Sequence, residues 1–136
     1  MKQQLFEYLN KNGYKYEGED EIISFIIDDL KFYAQFLPKD PYFFRIILPC
    51  EDNVQIPEVR NVIAKLNKRY KVAKIIEMDT SPWIVAESFA YSDLNGELLI
   101  DRLVRLLEEV FTAYSRERNN VTDNETADEN GEESHQ

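Results

Sequence analysis

Residues 22–49, IISFIIDDLKFYAQFLPKDPYFFRIILP, decide the fold. Ile22, Ser24 and Ile26 alternate with Ile23, Phe25 and Ile27. Phe32, Ala34 and Phe36 then alternate with Tyr33, Gln35 and Leu37, and Tyr42, Phe44, Ile46 and Leu48 with Phe43, Arg45 and Ile47. β-Branched and aromatic side chains suit a pleated surface, so this period of two predicts three strands. The breaks at Asp28-Asp29-Leu30-Lys31 and Pro38-Lys39-Asp40-Pro41 are turn-sized, which makes the three an antiparallel meander. Both of its faces are largely apolar. Such a sheet needs cover on both sides, from its own helices or from another chain.

Toward the start of the chain, residues 2–11 predict a short helix with Leu5, Phe6 and Leu9 on one face, and Asn12-Gly13 supplies a left-handed stop. Tyr14 to Tyr16 adds an extended piece, and an acidic loop, Glu17 to Glu21, leads into the meander. Beyond the meander, Pro49 to Ile56 is a connection, and Pro57 fits the first turn of a helix, where its missing N–H has no partner to lose. Val59, Val62, Ile63, Leu66 and Tyr70 follow at helical spacing, with charged residues opposite.

Two further strands are predicted. Val72, Lys74, Ile76 and Met78 alternate with Ala73, Ile75 and Glu77, and the turn Asp79-Thr80-Ser81-Pro82 leads into WIVAESFAY, residues 83–91. In that last strand Trp83, Val85, Phe89 and Tyr91 share one face, and Ile84, Ala86, Ser88 and Ala90 the other. Small side chains let a helix approach closely, so a helix is expected over the second face. A final helix runs from about Asn95, its candidate cap, to about Arg116. Leu99, Leu103, Leu106, Val110 and Tyr114 form its main stripe, which Leu98, Ile100, Val104, Leu107 and Phe111 widen until it must touch more than one layer. The order is helix, three strands, helix, two strands, helix: an α+β domain over residues 1–116 with a mainly antiparallel sheet. Residues 117–136, nearly without apolar side chains, are expected to form an acidic disordered tail.

Composition bounds the class of function. A chain of 136 residues is near the common size of one domain. The net charge is −10, of which residues 117–136 hold −6 (seven acids, one base), leaving −4 for the rest. Such a surface repels nucleic acid over most of its area. A lone cysteine, Cys50, makes no disulfide within the chain and fits a reducing compartment. The opening MKQQLFEYLNKNG has polar residues where a signal peptide needs an unbroken apolar run, and no run is long enough to cross a bilayer. A cytoplasmic protein without membrane contact is expected.

Catalytic constellations are hard to build from these residues. The single histidine, His135, lies in the tail, so neither a His-dependent triad nor a multi-histidine metal site is expected. Cys50 has Glu51 and Asp52 beside it, which oppose the thiolate that a nucleophile needs. Asp28-Asp29 and Glu51-Asp52 sit where turns are predicted, and turn chemistry accounts for them better than a cation or acid–base pair. The four glycines have no phosphate-cradling spacing. Neither metal nor cofactor is expected. Asn120-Val121-Thr122 and Asn124-Glu125-Thr126 match glycosylation acceptors, but no secretory signal gives them meaning.

Taken together, the stretch EIISFIIDDLKFYAQFLPKDPYFFRIILP, the passage VRNVIAKLNKRYKVAKI and the strand WIVAESFAY resemble the YbjN-like domains, a family proposed as bacterial sensory transduction regulators. Those domains are similar in fold to type III secretion chaperones. The resemblance covers residues 1–116 and rests on element order and hydrophobic pattern. It implies a small α+β module, often dimeric, whose chaperone relatives hold partner polypeptides against apolar surface. It transfers no functional residue.

Two surfaces carry the functional expectation. Trp83, Val85, Phe89 and Tyr91, with the spare width of the final helix, are candidates for binding a polypeptide or a second copy in a homodimer. Arg60, Lys65, Lys68, Arg69, Lys71 and Lys74, six bases against the single acid Glu58, are candidates for docking an acidic partner or the protein's own tail. The expected function is thus a non-catalytic interaction module, chaperone-like or regulatory. The alternative is a small-molecule sensor or enzyme with a carboxylate and tyrosine pocket between sheet and helices.

Overall fold

The three runs of the opening stretch pair in sequence order. In the computed structural model, which describes residues 1–18, 20–91 and 95–129 (the last nine as backbone only), β2 (Ile22–Ile27), β3 (Leu30–Leu37) and β4 (Asp40–Pro49) form an antiparallel meander. The β2–β3 turn is tight because Asp28 and Asp29 both take left-handed backbone conformations, φ 52° and 64°. Two such residues in succession match the right-handed twist of the flanking strands, and aspartate tolerates the conformation better than most residues.

A two-residue strand β1 (Tyr16–Glu17) adds to β2, while β5 (Ala73–Met78) and β6 (Ser81–Phe89) form a hairpin. The sheet order is β1-β2-β3-β4-β6-β5, so β6 returns to lie beside β4 and leaves β5 at the edge. Every pairing is antiparallel.

Helices α1 (Lys2–Asn12), α2 (Pro57–Arg69) and α3 (Gly96–Glu129) supply the second layer. α1 stops at Gly13, whose φ of 70° suits a residue without Cβ. α2 begins with Pro57, and in α3 the Asn95 side chain accepts the Leu98 N–H at 3.1 Å, the expected cap. Alternate residues of the strands, among them Ile23, Phe25, Phe32, Ile46, Ile84 and Ala86, are fully buried in one core with Leu5, Leu66, Val104 and Leu107 of the helices. The small residues of β6 do face α3, as their spacing predicts.

The chain's own helices cover one face of the sheet only: Ile22, Ile26, Met78 and Phe89, on the opposite alternation, are exposed. Two expectations need correction. The deepest residues of α3 are Ile100, Val104 and Leu107, whereas Leu99 and Leu106 are only partly buried, because α3 wedges between α1, α2 and the strands. Finally, the helix does not stop near Arg116 but continues to Glu129; no proline or glycine interrupts it, and Glu117 and Arg118 bond to the folded body. Residues 130–136 of the expected tail lie outside the described residues.

Candidate functional site

Strand alternation aims the uncovered face. Cross-strand rows place Gln35, Arg45 and Glu87 in register on β3, β4 and β6, and Tyr33, Ile47 and Val85 in the next row. Ile47 and Val85 are buried although they lie outside the helix-covered core, since their taller neighbours close over them. A groove of about 470 Å³ crosses this face, with Tyr33, Ile47, Pro49, Trp83 and Met78 supplying apolar wall. Arg45 borders it. Its Nε donates to Gln35 Oε1 at 2.6 Å, and an Nη lies 3.5 Å from Glu87. The guanidinium is thereby fixed in direction while only loosely neutralised.

At one end of β4 and β6 two aromatic pairs stand partly in solvent. Phe43 meets Phe89 edge-on at 5.8 Å between ring centres, and Tyr42 meets Tyr91 at 5.0 Å. Of the residues expected to bind a partner, Phe89 and Tyr91 are 58% and 59% exposed and Trp83 is half-buried in the groove wall. Val85 is a different matter: at 5% exposure it supports the face from beneath rather than presenting itself. The groove and the aromatic pairs thus occupy separate parts of the sheet, a division that strand parity alone does not reveal.

A second hollow of about 650 Å³ opens where β4 ends, and Tyr33, Pro49 and Trp83 border both it and the groove. Here lies the carboxylate and tyrosine grouping of the alternative expectation. Tyr114 Oη donates to Asp52 at 2.5 Å and Arg118 Nε donates to the same oxygen at 2.9 Å; the Asn53 N–H takes the other oxygen. Burial pushes the Asp52 carboxyl up, but these hydrogen bonds and the Arg118 charge outweigh it and hold the group below its usual value. Burial and the facing Asp52 drive the Tyr114 phenol well above its ordinary range. For the same two reasons the Cys50 thiol is pushed up to about 12. Asp52 therefore stays charged and Tyr114 and Cys50 stay protonated near neutral pH, and the bonds of Asp52 to Tyr114 and Arg118 tie the 50–54 connection to α3. Both distant partners, Tyr114 and Arg118, are invisible to local pattern, which marks Asp52 only as part of a turn.

The six bases from Arg60 to Lys74, on α2, β5 and the link between them, are largely engaged. Arg60 lies 3.7 Å from Glu77, Lys65 donates to Glu117 at 2.9 Å, and Arg69 stacks over the Tyr70 ring at 5.3 Å. Lys74 bonds the carbonyls of Asn67 and Tyr70 at 2.6 and 2.7 Å, capping the end of α2. Lys68 and Lys71 stand exposed with no ion pair among the described residues. A further ionic cluster joins α1, the β2–β3 turn and α3, with Arg105 between Asp28, Asp101 and Glu108 and the Tyr8 hydroxyl on Asp101. Among the described residues no group of three potential ligands is arranged to hold a metal ion, and no helix is long and apolar enough to cross a membrane.

Solved structures share this fold. YbjN from E. coli, described as a proposed transcription regulator, superposes with a TM-score of 0.63 at 12% identity, over 90% of this chain and 93% of its own. The chain has the YbjN-like fold. The Yersinia pestis type III secretion chaperone SycH, solved with a stable fragment of YscM2, matches with a TM-score of 0.57 at 13% identity, over 82% of this chain and 97% of that one. A Methanothermobacter thermautotrophicus protein described as uncharacterized gives 0.57 at 11% identity, over 90% and 97%. By sequence, no protein-family model and no curated protein matches. The YbjN-like and chaperone-like fold expected from element order is thus the one the chain adopts, and the likeness extends to fold alone.

Proposed function

We propose that this protein is a non-catalytic module, chaperone-like or regulatory, that binds a polypeptide across the uncovered face of its sheet. One observation carries the reading: three helices cover a single face of the sheet, and the other face holds an apolar groove beside exposed aromatic side chains. Apolar surface left open in this way marks a protein interaction site. The polypeptide held by the similar chaperone SycH agrees with it. So does the state of the ionisable groups in the neighbouring hollow, which bond one another.

The Phe43 and Phe89 rings, paired across β4 and β6 on the uncovered face, give the module a second surface, suited to another copy of the same chain because neither ring carries a charge that a copy would repel. A photo-crosslinking residue placed at position 83, in the groove wall, tests the main reading against the same residue at position 102, exposed on α3. Discrete polypeptide adducts are expected from position 83 and not from position 102. Equal yields from both would overturn the assignment.

A further inference from the structure

The groove on the open face has a chemistry more particular than greasiness. Its floor is Ile47, flanked by Tyr33 and Trp83, and one end is closed by the guanidinium of Arg45. That side chain is only 28% exposed and is aimed by Gln35 through a 2.6 Å hydrogen bond. Its acidic neighbour Glu87 is half in solvent and 3.5 Å away, so the charge is incompletely matched. A second base, Lys31, lies over the Tyr33 ring at 5.6 Å. Arg45 is thus the one charged residue among those lining the groove, with Lys31 near its Tyr33 wall, in a chain whose net charge is −10. An acidic segment is repelled by most of this protein's surface and attracted here.

Building on the polypeptide-binding reading above, we propose that the groove recognises an extended segment in which a large apolar side chain is followed by a carboxylate. The apolar side chain lies on Ile47 between Tyr33 and Trp83, and the carboxylate pairs with Arg45. Guanidinium and carboxylate planes match in a fork, and a cation pre-aimed by Gln35 loses little freedom when the pair forms. The same geometry rejects a segment with a base at that position, because it would face Arg45 directly.

The chain's single tryptophan reports on the groove directly. The probes are three blocked hexapeptides containing two leucines and one phenylalanine, identical except for a glutamate, a glutamine or a lysine after the phenylalanine, titrated while Trp83 fluorescence is followed. The glutamate peptide is expected to shift the emission and to bind about tenfold more tightly than the glutamine peptide, with the lysine peptide weaker still. Arg45→Gln should erase the difference between glutamate and glutamine while leaving the glutamine peptide's own affinity in place. If glutamate and glutamine bind the native protein alike, the carboxylate preference is wrong and the polypeptide-binding reading stands. If no peptide alters Trp83 emission, both fall.

Discussion

Replacing Asn67 with alanine should cost this protein about 2 kcal/mol, although Asn67 is a polar residue near the end of α2. β5 is an edge strand, and Ile75 turns its N–H and C=O outward, away from β6. The Asn67 carboxamide takes both groups at once, accepting the Ile75 N–H at 2.7 Å and donating to its carbonyl at 2.9 Å. A side-chain amide here stands in for a neighbouring strand. Two hydrogen bonds at about 1–1.5 kcal/mol each are lost in Asn67→Ala. Alanine's better helix propensity returns about 0.7 kcal/mol at most. The net loss of about 2 kcal/mol lowers Tm by about 6–8 °C for a domain of this size. Hydrogen exchange adds a local test, since the Ile75 amide should lose protection disproportionately. Asn67→Asp, which keeps the acceptor and loses the donor, should fall between the two. With its edge unplugged, β5 also invites pairing between molecules, so sedimentation should show association that rises with concentration. A Tm within 1 °C of the native value together with unchanged Ile75 exchange would refute the reasoning.

Three further outcomes are expected. Asp52→Asn should reduce stability by about 1–2 kcal/mol at pH 7. Because the folded carboxyl sits below its unfolded value of about 4, that stabilisation is complete above pH 4 and disappears as pH falls through the folded pKa, so urea titrations of the two proteins should converge in strong acid. Val72, a β-branched residue 63% exposed at φ 72°, is strained, and Val72→Gly should raise stability by about 0.5–1 kcal/mol in thermal melts, the relief exceeding glycine's added unfolded-state entropy. Phe89→Glu should convert a concentration-dependent dimer to monomer in light scattering and leave Tm nearly unchanged at dilutions where the native protein is monomeric; a native protein monomeric from micromolar to millimolar would remove the self-association reading.

The strands were legible because their signal is local. Ile23, Phe25, Phe32 and Ile46 declare period two over windows of six to ten residues, and the turns between them carry aspartate and proline. Capping was equally local at Asn95, Pro57 and Gly13. What escaped depends on distant partners. Asp52 meets Tyr114 and Arg118 only after the whole chain has closed, and Asn67 looks like any polar residue on an amphipathic helix until β5 lies against it. Parity also placed Val85 with Trp83 on the open face without showing that its neighbours bury it. The continuation of α3 past Arg116 was missed because a helix needs no apolar stripe where its own hydrogen bonds and an ion pair such as Lys65 with Glu117 carry it on.

The return of β6 to a central place has a consequence for how the protein is made. β4 finds its second neighbour only in residues 83–89, after α2 and β5 have been synthesised. At about 5–20 residues per second, the roughly 40 intervening residues leave β4 with a bare flank for about 2–8 s on every ribosome. For that interval the nascent meander is a half-built sheet with an aromatic, unpaired border, and a holdase that meets it then would be guarding the same strand the finished protein keeps at its centre.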